Sequence, residues 1–413
     1  MTKNSDVIIV GGGAAGLYAA NLLSSAATVT VIDKNEKPGR KLRITGKGRC
    51  NVTNDCDRET FFANVPVGSK FLYTAYSKCS PRDIMAFFEG LDVPLKVERG
   101  NRVFPVSDNA NDIAGALVSH ATRQGVNFVK DAVVKIEPGC VITATDTYTA
   151  PYILVATGGK SYPQTGSTGD GYDFAESLGH TIDPIRPSLI PVKVKENDVK
   201  NLQGLSLKNV TLSVTDLQNG KVVFSELGEM LFTHFGLSGP LVLSASAHLS
   251  DDPGRYRFDI DLKPALTEEV LDKRILRDFD EFKNKNIHNG LVKLLPGKMI
   301  GTFVTRCGLQ KDLKVNTVSR AQRKTMVDTL KRFSFTFDGL RGIEEAIVTR
   351  GGINLKQINP KNMESKLAAG IYFVGEVLNI DGYTGGFNLQ IAFSTAHAAA
   401  QDILTKLQEN QNV

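Results

Sequence analysis

Three glycines near the N-terminus have the spacing of a turn that binds phosphate. Gly11, Gly13 and Gly16 follow the apolar run DVIIV and precede the helix-forming stretch LYAANLLSS. In such a strand–turn–helix unit the first glycine permits the tight turn and the second lets a pyrophosphate approach the backbone. The third lets the helix pack closely on the strand. The N–H groups of Ala14 and Ala15, at the start of the helix, would then face the anion.

A carboxylate lies where a dinucleotide-binding unit needs one. The second apolar strand, TVTVID, ends at Asp33 and is followed by Lys34. An acid about 20 residues past the glycine turn can hydrogen-bond the adenosine ribose and favours a free 2′-hydroxyl. The glycine pattern alone is weak evidence, but strand, turn, helix, second strand and acid together predict a dinucleotide site.

Two later segments offer further turns to the same cofactor. The apolar run YILV ends before Ala156-Thr157-Gly158, and GIYFV ends at Gly375-Glu376 before a glycine-rich loop and a helix of small residues. The sequence has no second G-x-G-x-x-G, so any NADH or NADPH is predicted to act as a transient electron donor. This three-part arrangement resembles flavoproteins of the two-dinucleotide-fold type, in which the N-terminal turn holds the FAD pyrophosphate.

Longer motifs make the resemblance more specific. The stretches KPGRKLRITGKGRCNVTN, RVFPVSDNA, ATGGKSYPQTGSTGDGY, LFTHFGLSGP and GEVLNIDGYTGGFNLQIAFSTAHAAA run along nearly the whole chain. They resemble the motifs of a bacterial flavoprotein family that includes the bile-acid-inducible flavoprotein N and the ribosomal-RNA dihydrouridine synthase. The resemblance implies an α/β fold with an FAD-binding Rossmann-like domain of the two-dinucleotide-fold type and an inserted β-barrel-like plus helical module.

The resemblance and the local patterns together predict three domains. Residues 1–190 and 345–413 are expected to form a discontinuous FAD-binding domain, residues 191–265 an inserted β-rich domain, and residues 266–344 an inserted helical, basic domain. The stretch LSLKNVTLSVTDLQNGKVVFSE is typical of two strands around an Asn219-Gly220 turn. Thr267 is the predicted N-cap of the first inserted helix.

The resemblance also implies where the cofactor lies. By it, Glu376 or Asp381 lies near the ribityl chain, and the helix near Asn388 directs its positive end at the flavin ring, which favours the anionic reduced form. The predicted cofactor-binding residues are Gly11, Gly13, Ala14, Ala15, Gly16, Asp33, Lys34, Arg40, Lys41, Thr45, Gly46, Gly48, Arg49, Cys50, Asn51, Val133, Ala156, Thr157, Gly158, Gly375, Glu376, Asp381, Gly385, Gly386, Phe387, Asn388 and Leu389.

The basic stretch GRKLRITGKGRC has several possible interpretations. It is not a Walker loop, because six residues rather than four separate Gly39 from Gly46 and because Gly48 replaces the required Ser or Thr. It is not half a metal site, since Cys50 has no C-x-x-C partner, and it lacks the aromatic residues of a nucleic-acid patch. We therefore expect its basic residues near the FAD phosphates or adenosine, and Cys50 beside the flavin ring.

Composition places limits on the class of protein. The chain has 413 residues, a formal net charge of +5 and five scattered cysteines, and it lacks a long apolar run and a signal-peptide pattern. We expect two or three globular domains, reduced thiols and no structural metal. No membrane span is predicted, and the expected location is the cytoplasm.

The two activities known in the resembled family share one reaction type, reduction of a conjugated C=C bond. Hydride adds to the electron-poor carbon and a proton to its neighbour, and a donor to the carbonyl would stabilise the developing enolate. Cys50, Tyr162 and His234 are weak catalytic candidates for that donor. Each also has a purely structural interpretation. Cys50 could pack beneath the flavin, Tyr162 could form a pocket wall, and His234 could stabilise the FTHFGLSGP turn.

The substrate is the least determined feature. Residues 272–332 hold fifteen Lys and Arg against six Asp and Glu, which could guide RNA, yet this region has few aromatics for base stacking. The motifs TGSTGDGY and THFGLSGP resemble the branch that contains the bile-acid enzyme. The sequence therefore favours a 3-oxo-4,6-diene bile acid (steroid) reductase, with a ribosomal-RNA dihydrouridine synthase, an amine-oxidase-type flavoprotein or a non-enzymatic flavin sensor as alternatives.

Overall fold

A computed structural model describes residues 2–282 and 284–411 and divides into two compact units, Met1–Ser188 with Ile343–Val413, and Leu189–Gly342. The first twelve strands are β1 (Thr2–Asn4), β2 (Val7–Val10), β3 (Val29–Asp33), β4 (Thr53–Asn54), β5 (Leu95–Glu98), β6 (Arg102–Pro105), β7 (Asn127–Lys130), β8 (Val133–Glu137), β9 (Cys140–Thr143), β10 (Thr147–Thr149), β11 (Tyr152–Val155) and β12 (Ile182–Ser188). The other strands are β13 (Val192–Val194), β14 (Ser206–Asp216), β15 (Val222–Phe232), β16 (Gly236–Ser238), β17 (Tyr256–Asp261), β18 (Phe333–Leu340), β19 (Val348–Ile353) and β20 (Ile371–Phe373).

The helices vary from single turns to seven turns in length. They are α1 (Ala14–Leu23), α2 (Thr45–Gly48), α3 (Arg58–Ala63), α4 (Tyr73–Lys78), α5 (Pro81–Glu89), α6 (Ala110–Arg123), α7 (Asp170–Ser177), α8 (Pro240–Ser246), α9 (Glu268–Glu281), α10 (Ile287–Gly290), α11 (Gly297–Arg306), α12 (Arg320–Lys331) and α13 (Phe387–Gln411).

A five-stranded parallel sheet forms the centre of the first unit. Its strand order is β20-β11-β2-β3-β7, and Leu154 of β11 lies opposite Ile9 on one side and Tyr372 on the other. All residues of β2, β11 and β20 are buried, as expected where helices cover both faces of a parallel sheet. Because the strands are parallel, the turns that follow β2, β3, β7, β11 and β20 lie at one edge.

Smaller sheets surround this core. One has the order β1-β10-β9-β8, a second the order β4-β6-β5, and β12 pairs with β19 in antiparallel fashion. The helix α13 is rich in alanine, and Ala396, Ala399 and Ala400 are fully buried. Small side chains allow a helix to approach its neighbours closely.

The second unit contains a closed six-stranded barrel in the order β13-β16-β15-β14-β17-β18. The aromatic side chains of Phe258, Phe335 and Phe337 are fully buried. As predicted, β14 and β15 flank the Asn219-Gly220 turn, and the Thr267 hydroxyl accepts a hydrogen bond from the Val270 N–H.

The predicted boundary between a β-rich and a helical domain differs from the structure. The last barrel strand, β18, lies within the predicted helical segment 266–344 and pairs with both β17 and β13. Helices α9 to α12 thus form an insertion between the paired strands β17 and β18, and residues 189–342 form one compact unit. Strand pairing across about 70 intervening residues leaves no local signal in the sequence.

Among the described residues, no helix has the length and apolar character needed to cross a membrane. The same part of the chain contains no group of three or more His, Cys, Asp or Glu side chains that could hold a metal ion.

Candidate functional site

A cleft opens at the edge of the parallel sheet where its strands end. Seventeen of the residues predicted to bind the cofactor line it: Gly11, Gly13, Ala14, Ala15, Asp33, Lys34, Arg40, Lys41, Thr45, Val133, Ala156, Thr157, Gly158, Gly375, Glu376, Asn388 and Leu389. The turns after β2, β3, β7, β11 and β20 all contribute, so residues far apart in the sequence share one cavity. This is the position at which open α/β sheets bind ligands.

The three N-terminal glycines meet different physical demands. Gly11 has φ +105°, and a Cβ there would lie 2.6 Å from the carbonyl oxygen of Ala156. A Cβ at Gly16 would lie 2.0 Å from the carbonyl oxygen of Gly11, so close packing requires glycine. Gly13 differs, because a Cβ there would meet no protein atom closer than 4.0 Å and would fill the cleft instead. The N-terminus of α1, which follows Gly13, has no side-chain cap.

The carboxylate of Asp33 is held in place by the turn it faces. Its Oδ2 accepts a hydrogen bond of 2.6 Å from the Gly12 N–H, and its Oδ1 accepts bonds from the N–H and side-chain amide of Asn35. The Asn35 amide also donates to the carbonyl oxygen of Thr165, at 3.0 Å. These bonds fix the acid at the mouth of the cleft, in the place where a ribose hydroxyl would approach.

A second charged pair lies close to this acid. The Lys34 ammonium is 2.5 Å from Oδ2 of Asp170, and both residues line the cleft. Burial opposes ionisation of Asp170, but Lys34 and the Thr168 hydroxyl hold the pKa of this carboxyl below its ordinary value. The pair joins the end of β3 to the N-terminus of α7.

The most extensive hydrogen-bond network of the cleft surrounds Glu376. Its Oε1 accepts hydrogen bonds from the Ser161 hydroxyl at 2.9 Å and the Thr349 N–H at 2.8 Å, and its Oε2 lies 2.7 Å from the Lys41 ammonium. Burial alone would raise the pKa of Glu376, but Lys41 and the two hydrogen bonds outweigh it and lower that pKa. The Lys41 ammonium also donates to Ser161, at 2.6 Å.

This network changes the role expected for two predicted residues. Sequence reasoning placed Lys41 at the FAD phosphates or adenosine and Glu376 near the ribityl chain. In the structure both line the cleft, but the ammonium of Lys41 is committed to Glu376 and Ser161. The pair therefore fixes the walls of the cleft.

Ten predicted cofactor residues do not line the cleft: Gly16, Gly46, Gly48, Arg49, Cys50, Asn51, Asp381, Gly385, Gly386 and Phe387. Arg49 is held away by ion pairs with Glu98 and Asp108, and its guanidinium lies 4.1 Å from the centroid of the Phe104 ring. A basic residue predicted to contact the cofactor thus serves to attach its loop to β5 and β6. No signal in the sequence shows whether Arg49 contacts the cofactor or pairs with Glu98 and Asp108.

The glycine-rich loop before α13 is packed against other parts of the first unit. Asp381 is 1% exposed, its Oδ2 accepts a hydrogen bond from the Ser188 hydroxyl at 2.9 Å, and burial raises the pKa of this carboxyl. Phe387 is buried, with its ring centroid 6.0 Å from that of Phe61. A Cβ at Gly386 would lie 2.3 Å from the carbonyl oxygen of Thr53, so this loop is packed against β4.

The catalytic candidates occupy three different environments. Cys50 is fully buried with φ +57°, and burial raises the pKa of its thiol to about 12. Tyr162 has φ +52° and is partly buried, and burial raises its pKa. His234 is an exposed residue of the second unit whose ring lies edge-on to Phe235, with centroids 5.0 Å apart. Neither Cys50 nor Tyr162 lines the cleft.

The whole chain can be compared with known proteins. The family model described as HI0933-like protein Rossmann domain matches residues 5–402. The chain belongs to this family. It is 32% identical to a Haemophilus influenzae protein named ribosomal RNA dihydrouridine synthase, over 98% of this chain and 99% of that one. It is 28% identical to the 3-dehydro-bile acid delta(4,6)-reductase of Clostridium scindens, over 95% of this chain and 97% of that one.

A third relative supports this assignment. An Escherichia coli protein, also named ribosomal RNA dihydrouridine synthase, is 30% identical over 97% of this chain and 98% of its own. The 3-ketosteroid delta1-dehydrogenase of Sterolibacterium denitrificans has a TM-score of 0.48 at 14% identity, covering 98% of this chain and all of that one. The predicted family and fold class are confirmed, and the family is one of FAD-dependent oxidoreductases.

The cleft of this HI0933-like protein fits FAD by its own chemistry. Gly13 leaves open space beside the uncapped N-terminus of α1, and both line the cleft. Open space beside a helix N-terminus is the feature expected of a site for an anionic group such as a pyrophosphate.

Sequence reasoning missed several residues of the site. Ser161 and Thr349 hold Glu376, and Asn35 holds Asp33, yet none of the three was predicted. Asn35 could have been found, because an amide two residues after an acid often bonds back to it. The other cleft-lining residues outside the prediction are Val10, Gly12, Ile32, Leu42, Asp131, Thr165, Gly166, Ser167, Asp170, Phe174, Ile347, Val348, Val374, Ile380, Ile391 and Ala392.

Proposed function

We propose that this protein reduces the conjugated C=C bond of a uridine in ribosomal RNA, with FAD as its cofactor and NADH or NADPH as the electron donor. The observation that carries the proposal is full-length similarity to two proteins named ribosomal RNA dihydrouridine synthase, at 32% and 30% identity. Both alignments cover the inserted unit as well as the nucleotide-binding unit. The similarity therefore extends beyond the cofactor site.

When bound, FAD supplies the hydride chemistry. The chain's own residues would bind and orient it: α1 and Gly13 would receive the pyrophosphate, and Asp33 would accept a hydrogen bond from the ribose. The Lys41–Glu376 pair would fix the walls of the cleft around the cofactor. These residues account for binding and orientation, because the redox step itself needs no protein nucleophile.

A bile acid is the second candidate substrate. The Clostridium scindens relative is named for this reaction, and the sequence motifs TGSTGDGY and THFGLSGP favoured it. Both candidates contain a C=C bond conjugated to a carbonyl, so the same flavin chemistry serves either. We place RNA first because the identity to the RNA-named relatives is higher and covers slightly more of the chain.

An anaerobic reoxidation experiment tests the proposal. The flavin of the purified protein is reduced with NADH or NADPH, and either unmodified ribosomal RNA or a 3-oxo-4,6-diene bile acid is added while flavin absorbance is followed. We expect the RNA to reoxidise the flavin and one uridine to gain the mass of two hydrogen atoms. Reoxidation by the bile acid alone would select the second candidate.

The remaining alternatives have distinct outcomes in the same experiment. Reduction of the flavin by an amine, with release of peroxide in air, would indicate an amine oxidase. A flavin that neither nicotinamide reduces would indicate a sensor. Either result would overturn the proposed reductase.

A further inference from the structure

An aromatic surface lies on the helices α3 and α4 of the first unit. The rings of Phe62 and Tyr73 meet edge to face with centroids 4.6 Å apart, and Tyr73 is 44% exposed. The guanidinium carbon of Arg58 lies 5.7 Å from the Phe62 centroid and 5.4 Å from that of Tyr73. A planar cation against an exposed ring makes a surface on which a base can stack. We name these three residues the aromatic platform.

Five exposed lysines lie on two chain segments that adjoin this platform, residues 70–78 and residues 355–366. The Lys78 ammonium donates to the Lys361 carbonyl oxygen at 3.3 Å, and that of Lys366 donates to the Lys356 carbonyl oxygen at 2.8 Å. The lysines are Lys70, Lys78, Lys356, Lys361 and Lys366, and no described carboxylate lies within ion-pair distance of them. Leu355 packs at Gly68, which brings the two segments together.

The acidic residues near the platform do not cancel this charge. Asp57 and Glu59 flank Arg58, and the Asp57 carboxylate accepts a hydrogen bond from the Thr60 N–H as the N-cap of α3. Glu364, beside the lysines, pairs with Lys406 instead. Together with α3 and its N-cap, these segments thus carry six exposed cations, the five lysines and Arg58, but only two exposed carboxylates among their described residues, Asp57 and Glu59.

The platform is connected to the wall of the cofactor cleft. Tyr76, on the same helix as Tyr73, has its ring centroid 4.4 Å from that of Phe61. Phe61 in turn packs against Phe387 at the start of α13. The next two residues of α13 line the cleft. In addition, the Tyr383 N–H donates to the Asn64 carbonyl oxygen at 2.9 Å, which links α3 to the glycine-rich loop.

By contrast, the basic helical insert has no exposed Phe or Tyr side chain among its described residues. Of the fourteen Lys and Arg side chains described in residues 272–332, half form ion pairs, among them Arg306 with Asp198 and Arg323 with Asp272. A cation already bonded to a carboxylate gains less from a phosphate. The strongest combination of free charge and exposed aromatic surface is therefore the one on α3 and α4.

We propose that the aromatic platform and its five lysines bind a single-stranded segment of RNA, with an unstacked base on Tyr73 and the phosphates along the lysines. This inference rests on the proposed function and names the surface that its RNA substrate would contact. Unpaired bases stack on exposed aromatic rings, and lysines neutralise the backbone without reading its sequence. The surface thus supplies affinity for RNA, whereas chemistry occurs at the cleft.

Binding of a labelled oligouridine of about 12 nucleotides, followed by fluorescence anisotropy at several salt concentrations, tests this. Tyr73→Ala is expected to weaken binding about 5- to 100-fold, whereas Tyr73→Phe keeps the ring and should bind as the wild type does. The triple variant Lys70→Gln, Lys78→Gln, Lys361→Gln should reduce the slope of log K against log salt by about 2. The matched control, Lys285→Gln, Lys311→Gln, Lys314→Gln in the insert, should leave it unchanged.

The outcomes separate this inference from the proposed function. In turnover with ribosomal RNA, Tyr73→Ala should raise KM and leave kcat unchanged. Suppose that the wild type forms dihydrouridine, but Tyr73→Ala and the Lys70, Lys78, Lys361 triple variant bind RNA as tightly as the wild type does. The proposed RNA-binding surface is then wrong and the proposed function stands. The same conclusion follows if the insert control, and not these variants, loses affinity for RNA. If the wild type forms no dihydrouridine, the function itself is wrong.

Discussion

The ammonium of Lys41 lies 2.7 Å from the carboxylate of Glu376, although 335 positions separate them in the sequence. The contact joins the basic stretch after β3 to the end of β20, on two sides of the same cleft. Both side chains are largely buried, with 22% and 18% of their surface accessible. An ion pair in such a position stabilises the folded state mainly because the loss of one partner leaves the other charge poorly solvated.

Replacement of Lys41 by Met is therefore expected to destabilise the protein by about 2 to 3 kcal/mol. This is below the cost for a fully buried pair, since both groups retain some contact with water. Urea denaturation of the FAD-free protein measures the change. Lys37→Met is the matched control, because Lys37 is exposed and should leave stability within about 0.5 kcal/mol of the wild type. Equal stabilities of the two variants would contradict the role of the pair.

The same pair predicts a specific dependence of stability on pH. Because the folded-state pKa of Glu376 is lowered, its ionisation stabilises the fold above its ordinary pKa of about 4.3. That contribution is lost as the pH falls through the folded-state pKa. The free energy of unfolding of the wild type should thus approach that of Glu376→Gln at acidic pH, and the difference should be constant between about pH 5.5 and 7. A difference that grows on acidification would contradict the assignment.

The glycine turn provides a pair of substitutions with opposite readouts. A Cβ at Gly13 meets no close protein atom, so Gly13→Ala should fold normally and lose at least about tenfold in FAD affinity, because the methyl group occupies the ligand's space. A Cβ at Gly16 would lie 2.0 Å from the Gly11 carbonyl oxygen, so Gly16→Ala should instead destabilise the FAD-free protein by about 3 kcal/mol. The free energy of unfolding and the FAD dissociation constant from flavin titration distinguish the two variants. If Gly13→Ala binds FAD as tightly as the wild type does, Gly13 does not lie at the pyrophosphate site.

The extent to which the sequence predicts this site depends on the range of each interaction. Gly11, Gly13 and Asp33 are recognisable because strand, turn and acid occur within about 30 consecutive residues. The partners of Glu376 are not, since Lys41, Ser161 and Thr349 come from three distant segments whose meeting requires the folded sheet. Long-range pairs of this kind carry no spacing signal.

The same distinction applies to the basic stretch. Its glycines indicate unusual backbone, and Lys47 and Cys50 do have φ of +59° and +57°. Its charges, however, do not reveal their partners: Arg49 pairs with Asp108 on the protein surface, whereas Lys41 points into the cleft. Residue type predicts that a cation needs an anion, but only tertiary structure determines which anion it finds.

The burial of Cys50 predicts that its thiol is unreactive in the native protein. Cys50 is fully buried and its pKa is raised to about 12, so little thiolate forms near neutral pH. Cys140 is partly exposed and should react with a disulfide reagent such as DTNB. We expect Cys50→Ala and the wild type to titrate the same number of native thiols, and the wild type to show one more than the variant after denaturation. One fewer native thiol in the variant would show that Cys50 is accessible and restore it as a candidate for chemistry at the flavin.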